Sequence, residues 1–111
     1  METSGAEIER AAAIASLLSN ATRARIVAVL VEGPRIVGEI AAAIGEAQAT
    51  VSKQLGILRD GGLLCCRTEG RCREYGLTDP GLARQILASL AELGRQAEDT
   101  PRRRELAAGE A

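Results

Sequence analysis

The stretch Ile44-Gly45-Glu46-Ala47-Gln48-Ala49-Thr50-Val51-Ser52-Lys53-Gln54-Leu55-Gly56-Ile57-Leu58 decides how this chain folds. Val51, Leu55 and Leu58 recur at i, i+4 and i+7, the spacing of one buried helical stripe, so a helix is predicted over 47–60. A short helix is predicted over 36–44, and Gly45 supplies the left-handed residue that ends it. Two helices joined by so few residues cross steeply. With the stripe turned inward, helical geometry turns Ala49, Thr50, Ser52, Lys53 and Gly56 outward, and Gln48 stands at the N-terminal end of that face. These side chains suit base edges. Gln pairs bidentately with adenine, Ser and Thr bond base edges or phosphates, and Lys reaches guanine or phosphate. Taken alone, the same face reads equally well as an ordinary solvated helix surface.

Upstream, Ile8, Ala11, Ala12, Ala15 and Leu18 predict a helix over 7–18. Asn20 then caps a second helix over 21–32, with Ile26, Val27 and Leu30 on one face, and Gly33-Pro34 ends it. Downstream, Gly61-Gly62 breaks the fourth helix. Residues 63–67 and 72–77 read as two strands around a Thr68-Glu69-Gly70-Arg71 turn. Asp79 as cap and Pro80 at the first helical position start a last helix, striped by Leu82, Ile86, Leu90 and Leu93. The chain divides into a flexible N-terminus (1–6), one domain (7–97) and a charged, disordered tail (98–111). The predicted fold is mainly α with a small β-hairpin, in the order α-α-α-α-β-β-α: a winged helix-turn-helix. Arg67, Arg71 and Arg73 flank the hairpin turn, where arginines enter a minor groove or bind flanking phosphates. The alternative is a hairpin edge kept soluble by charge. Strand alternation also leaves open that Arg73 lies on the packed face with Tyr75 and Leu77.

Composition agrees with a small DNA-directed domain and excludes much else. Of 111 residues, 46% are hydrophobic, yet Tyr75 is the only aromatic and histidine is absent. The core must come from Ala, Ile, Leu and Val, which bury less area each than aromatics, and a chain this short therefore gains from dimerisation. The net charge of −1 hides an asymmetry. From 47 to 73, Lys53, Arg59, Arg67, Arg71 and Arg73 face only Asp60 and Glu69, a local +3, whereas residues 1–20 carry −2 from Glu2, Glu7 and Glu9 against Arg10. A basic segment on an acidic body fits a directed phosphate contact. An enzyme is not expected, because there is no histidine to act as general base, no phosphate-cradling glycine loop after a strand and no nucleophile motif. No run approaches the roughly 18 apolar residues of a membrane span, and the acidic N-terminus lacks a signal-peptide pattern. The cytoplasm is the expected compartment, with no membrane partner.

Several segments, in order, resemble the ArsR/SmtB family of metal- and stress-responsive repressors. They are Ser19-Asn20-Ala21-Thr22-Arg23-Ala24-Arg25-Ile26, Ala47-Gln48-Ala49-Thr50-Val51-Ser52-Lys53-Gln54-Leu55, Leu58-Arg59-Asp60-Gly61-Gly62-Leu63 and Glu69-Gly70-Arg71. The resemblance covers residues 8–93. It implies a homodimer built on the first and last helices, with Ile8, Leu82, Ile86 and Leu90 at the interface. It also implies binding to an imperfect palindrome of double-stranded promoter DNA, and repression relieved by an effector. On this reading Gln48, Thr50, Ser52, Lys53, Arg67 and Arg71 contact DNA. The chain departs from the family pattern at Ala47, where Ser is frequent, and at Glu46, where a hydrophobic residue is frequent.

The effector is less legible. The family's Cys-x-Cys metal motif, in the helix before the DNA-reading helix, is replaced by Arg35-Ile36-Val37-Gly38-Glu39-Ile40. Asp79 matches the start of the Asp/His site on the last helix, but no histidine follows. The remaining candidates are Cys65, Cys66 and Cys72, whose thiolates favour thiophilic ions such as As(III), Cd(II) and Zn(II). With the four-residue turn predicted above, Arg67 opposes Cys72, and Cys65 and Cys72 become diagonal neighbours on one face, about 7–8 Å apart. That would favour a redox pair, or a two-thiolate metal site completed from elsewhere, with Cys66 on the opposite face beside Leu64 and Tyr75. The wing arginines would make exposed thiols more reactive. Equally, a cysteine is often just a small hydrophobe. Two further readings stay open: a Ni(II) site at a subunit boundary built from Glu7, Glu9 or Asp79, and a protein that senses nothing itself but works with a co-regulator. The rival functional class is a winged-helix protein-interaction module.

Overall fold

The computed structural model describes residues 3–99. The elements are α1 (Gly5–Leu17), α2 (Ala21–Leu30), β1 (Arg35–Ile36), α3 (Val37–Ile44), α4 (Gln48–Asp60), β2 (Leu64–Glu69), β3 (Cys72–Leu77) and α5 (Pro80–Glu98). The expected order of helices and hairpin is present. One element is new: β1 pairs with β3 through Arg35↔Tyr75 and Ile36↔Glu74, giving a three-stranded antiparallel sheet of order β1-β3-β2. A two-residue strand has no periodicity of its own; only β3 makes it a strand.

Local chemistry sets the helix ends. Ser4 Oγ accepts from the Glu7 amide at 3.2 Å, so α1 begins at Gly5 and takes in residues that the sequence assigns to a flexible terminus. Asn20 Oδ1 caps α2 by accepting from the Arg23 amide at 3.0 Å, and Asp79 Oδ1 caps α5 from the Leu82 amide at 3.0 Å. Gly45, at φ 72°, closes α3 in the left-handed region, where a side chain would be strained. The expected tail lies outside the described residues from position 100, and Glu98 is still helical.

The core is aliphatic. Ile26, Val27 and Leu30 of α2, Ile40 of α3, and Val51, Leu55 and Leu58 of α4 are all less than 2% exposed. Each such side chain contributes roughly 1.5–3 kcal/mol on burial. Leu64, Tyr75 and Leu77 close the cluster from the sheet. The outer helices contribute little: α1 buries no residue, and α5 buries only Ala83.

The wing differs from expectation in register. β2 and β3 pair through Glu69↔Cys72, Thr68↔Arg73, Arg67↔Glu74, Cys66↔Tyr75 and Cys65↔Gly76. The turn is therefore the two residues Gly70-Arg71, not four. Gly70, at φ 59°, takes the first turn position, where a tight hairpin matched to strand twist favours glycine. Relative to the expected four-residue turn, the pairing gains one rung and shifts by two residues.

Ala47, the N-cap of α4, has the extended backbone of a cap (φ −65°, ψ 143°) and its carbonyl accepts from the Val51 amide at 3.0 Å, but it has no side-chain acceptor. Ala47→Ser is expected to raise stability by about 0.5–2 kcal/mol. Urea unfolding followed by circular dichroism will measure it; an unchanged midpoint would show that the first amides of α4 are already satisfied.

Candidate nucleic-acid interface

Helix α4 turns its stripe fully inward and leaves Gln48, Ala49, Thr50, Ser52 and Lys53 exposed. The predicted reading face is thus a continuous surface. Gln48 leans over the first turn of α3, where Gly38 leaves room: a Cβ built there would lie 3.5 Å from Gln48 Nε2. Ser52 lines a cleft between α4 and the wing, shared with Ile36, Val37, Arg71, Cys72, Arg73 and Tyr75. Helix and wing therefore present one surface, and Lys53, Arg71 and Arg73 form no ion pair among the described residues.

The three wing arginines divide. Arg71, in the turn, lines the cleft as expected. Arg73 does share the face of Tyr75 and Leu77, yet it is exposed, because the hairpin tip runs beyond the core and over the cleft. A hydrogen bond with Tyr75 raises its pKa further, with smaller contributions from the charges of Tyr75 and Cys66. Arg67 does not join them. Its Nη2 donates to Glu74 Oε1 at 2.9 Å, and it lines a separate groove with Pro34, Cys65, Glu74 and Gly76. The two-residue shift in register is the cause, since it sets Arg67 directly opposite a carboxylate.

The same shift separates the cysteines. Cys65 pairs with Gly76 and Cys72 with Glu69, so the two thiols share a face but stand four rungs apart, about 13 Å at 3.3 Å per residue. The diagonal pair expected from a longer turn is not formed. Cys65 Sγ lies 3.6 Å from the Gly76 carbonyl oxygen, Cys66 is half-buried against the core, and Cys72 lines the cleft. Among the described residues no group of three or more His, Cys, Asp or Glu side chains is placed to hold a metal ion. Within one chain, Glu7, Glu9 and Asp79 form no such group.

Two polar links, invisible in the sequence pattern, hold α4 in place. Thr22 Oγ1 donates to Glu46 Oε1 at 3.0 Å, tying α2 to the turn before α4, while Glu46 Oε2 is buried without a hydrogen-bond partner. Arg23 reaches further. Its Nε donates to the Leu17 carbonyl at 2.7 Å, Nη2 to the Ser16 carbonyl at 3.3 Å, and Nη1 to Gln54 Oε1 of α4 at 2.9 Å.

Apart from the cleft, α1 and α5 carry an uncovered apolar face. Ile8 is 56% exposed, Leu82 52%, Leu90 44% and Leu93 62%, while Ile86 is half-buried. Ala11, Ile14, Ala15, Leu18, Ile86 and Leu90 line a groove between the two helices. No single helix among the described residues is long and apolar enough to cross a membrane.

Comparison with known proteins agrees with this geometry. A helix-turn-helix domain family matches residues 18–67. The biofilm growth-associated repressor of Xylella fastidiosa is 39% identical over 83 residues, 72% of this chain and 73% of that protein. Among solved structures, the antimony-specific transcriptional repressor AntR superposes with a TM-score of 0.73 at 30% identity, covering 86% of each chain. A homodimeric winged helix-turn-helix DNA-binding domain from Mycobacterium bovis, described as a possible ArsR-family transcriptional regulator, gives 0.70 at 29% identity, covering 87% of this chain and 92% of that one. With the reading helix, the wing and these relatives in agreement, the chain belongs to the ArsR/SmtB family of winged helix-turn-helix transcriptional regulators, which bind DNA and are not enzymes.

Proposed function

We propose that this chain is a cytoplasmic homodimeric repressor that binds a palindromic operator in double-stranded promoter DNA. The observation that carries the DNA reading is the cleft in which Ser52 of the helix meets Arg71 and Arg73 of the wing. In this reading Gln48, Thr50, Ser52 and Lys53 face the major groove. Arg71 and Arg73 take the adjacent minor groove or its phosphates, and Arg67, already neutralised by Glu74, contributes little. Dimerisation through α1 and α5 covers Ile8, Leu82, Ile86 and Leu90, whose exposure in one chain is large for a small aliphatic domain. Homodimeric assembly in the Mycobacterium bovis relative supports this arrangement.

Regulation by a thiophilic ion or an oxidant is the finer part of the proposal, and AntR, an antimony-specific repressor, supports considering it. Within one chain, the spacing of Cys65 and Cys72 favours two independently acting thiols over a chelating or disulfide pair. A co-regulator protein is the alternative source of the signal. It would dock on surface that the DNA and the second subunit leave free.

Three outcomes are expected. In fluorescence anisotropy on the chain's own upstream DNA, the Lys53→Ala/Arg71→Ala double variant binds more weakly by about 1–3 kcal/mol for each base or phosphate interaction removed. Its salt dependence becomes shallower by about 0.9 for each phosphate no longer neutralised. Wild-type affinity in that variant would remove the DNA assignment and leave a protein-interaction module. In sedimentation velocity, Leu90→Asp yields a folded monomer, and a dimer of unchanged strength would move the interface off this face. Under mild oxidation, mass spectrometry finds no Cys65–Cys72 disulfide within one chain, because Cα atoms more than about 7 Å apart cannot be bridged without backbone movement; recovery of that cross-link would overturn the two-residue turn.

A further inference from the structure

We propose that Arg23 is a positioning residue that locks α1 to α4, so that the pairing of two subunits sets the angle and separation of their two DNA-reading helices. The proposal rests on the dimer reading above, in which α1 belongs to the subunit interface.

The last carbonyls of a helix lack intrahelical donors and carry partial negative charge. Arg23 takes two of these at the end of α1, the Leu17 carbonyl at 2.7 Å and the Ser16 carbonyl at 3.3 Å. The third arm of the same planar group reaches Gln54 Oε1 at 2.9 Å, in the middle of α4. The fork is rigid, so moving one set of acceptors moves the other. Its backbone is pinned as well, because the Arg23 amide donates to Asn20 Oδ1 at 3.0 Å. All these acceptors are neutral, and Arg23 has no ion pair among the described residues, so the guanidinium is committed to geometry and not to charge neutralisation.

A second contact, through the side chain of the same Leu17, joins the same two helices. Leu17 packs on Gly61 at the end of α4, and a Cβ at Gly61 would overlap the Leu17 methyl groups. Gly61 has φ −79°, open to any residue, so space and not backbone freedom favours glycine there. Gln54 and Gly61 lie seven residues apart on α4, about 10 Å along its axis. Both contacts meet the last turn of α1 and reach two places on α4, so they fix where that end of α1 sits along α4. Helix α1, which has no fully buried residue, is thus held through its last turn to the helix that faces DNA.

A dimer must place its two reading helices about one turn of DNA apart, roughly 34 Å. A chain with a loosened joint would still read one half-site, since Gln48, Ser52, Lys53 and Arg71 are untouched, but would hold the two half-sites less well together. The probes are a palindromic duplex selected in vitro by the wild-type protein, the same duplex with one base pair inserted at its centre, and a single half-site of equal length. Gln54→Leu removes the acceptor, Gln54→Glu keeps one, and Gly61→Ala disturbs the Leu17 packing alone. Gln54→Leu is expected to remain dimeric and to bind the palindrome roughly tenfold or more weakly, the worth of one charge-assisted hydrogen bond. Its half-site affinity stays within about twofold, a factor far below that bond's worth. Its preference for correct over expanded spacing shrinks. Gln54→Glu restores both palindrome affinity and spacing preference, and Gly61→Ala shifts spacing preference in the same direction as Gln54→Leu. Equal weakening on palindrome and half-site, or unchanged spacing preference in Gln54→Leu, would overturn the joint. A monomeric wild type in sedimentation would instead overturn the dimer reading beneath it.

Discussion

The burial of one face of α4 by a core that is aliphatic except for Tyr75 is the constraint on which this structure depends. Val51, Leu55 and Leu58 are fully enclosed by Ile26, Val27 and Leu30 of α2 and Ile40 of α3. Aliphatic side chains of this size fill a tight three-helix cluster and leave little apolar surface for a further layer. The sheet closes that cluster with Leu64, Tyr75 and Leu77, while α1 and α5 add buried Ala83 and only partly buried side chains such as Leu17 and Leu87. The outward face of α4 is free for a ligand for the same reason that its inward face is not: the helix is gripped from one side only.

The features outside that cluster follow from it. Because α1 and α5 do not complete the core, their apolar stripes stay open, and a second copy is the economical cover. Because the hairpin extends beyond the core, its tip returns over the exposed side of α4, where Arg71 and Arg73 meet Ser52. Arg23 gives the outer helix a fixed relation to the inner one, so that the two sides of the molecule are mechanically joined.

Signal reception is where the chain departs furthest from the family pattern. The three cysteines cluster in sequence, between 65 and 72, and the sequence spacing suggests a common site. Pairing disperses them: Cys66 turns to the core beside Tyr75, while Cys65 and Cys72 end up at opposite ends of one strand face. Nearness along a hairpin is a poor measure of nearness between thiols, because each rung adds about 3.3 Å and each residue reverses the face. Of the three, only Cys72 borders the cleft between α4 and the wing.

Helical periodicity and caps were legible in the residues themselves. The inward stripe of α4, the Asn20 and Asp79 caps, the Gly45 stop and the exposed set from Gln48 to Lys53 all depend on interactions within a few positions, which a linear pattern records. The hairpin was legible too, but its register was not. Whether Glu69 and Cys72 belong to the turn or to the strands depends on Gly70 adopting φ 59° in the company of β1 and the core. That choice moved Arg67 out of the cleft, left Arg73 in it and separated Cys65 from Cys72. The links Arg23–Gln54 and Thr22–Glu46 span 31 and 24 residues, and no local pattern announces a polar pair at such separation. What the sequence by itself determined was the order of elements and the side of α4 that stays dry, since both follow from short-range geometry and hydrophobic period. Only the tertiary structure decided which arginines meet the cleft, how far apart the thiols stand and what holds α4 to α1, because each depends on a register or a long-range contact.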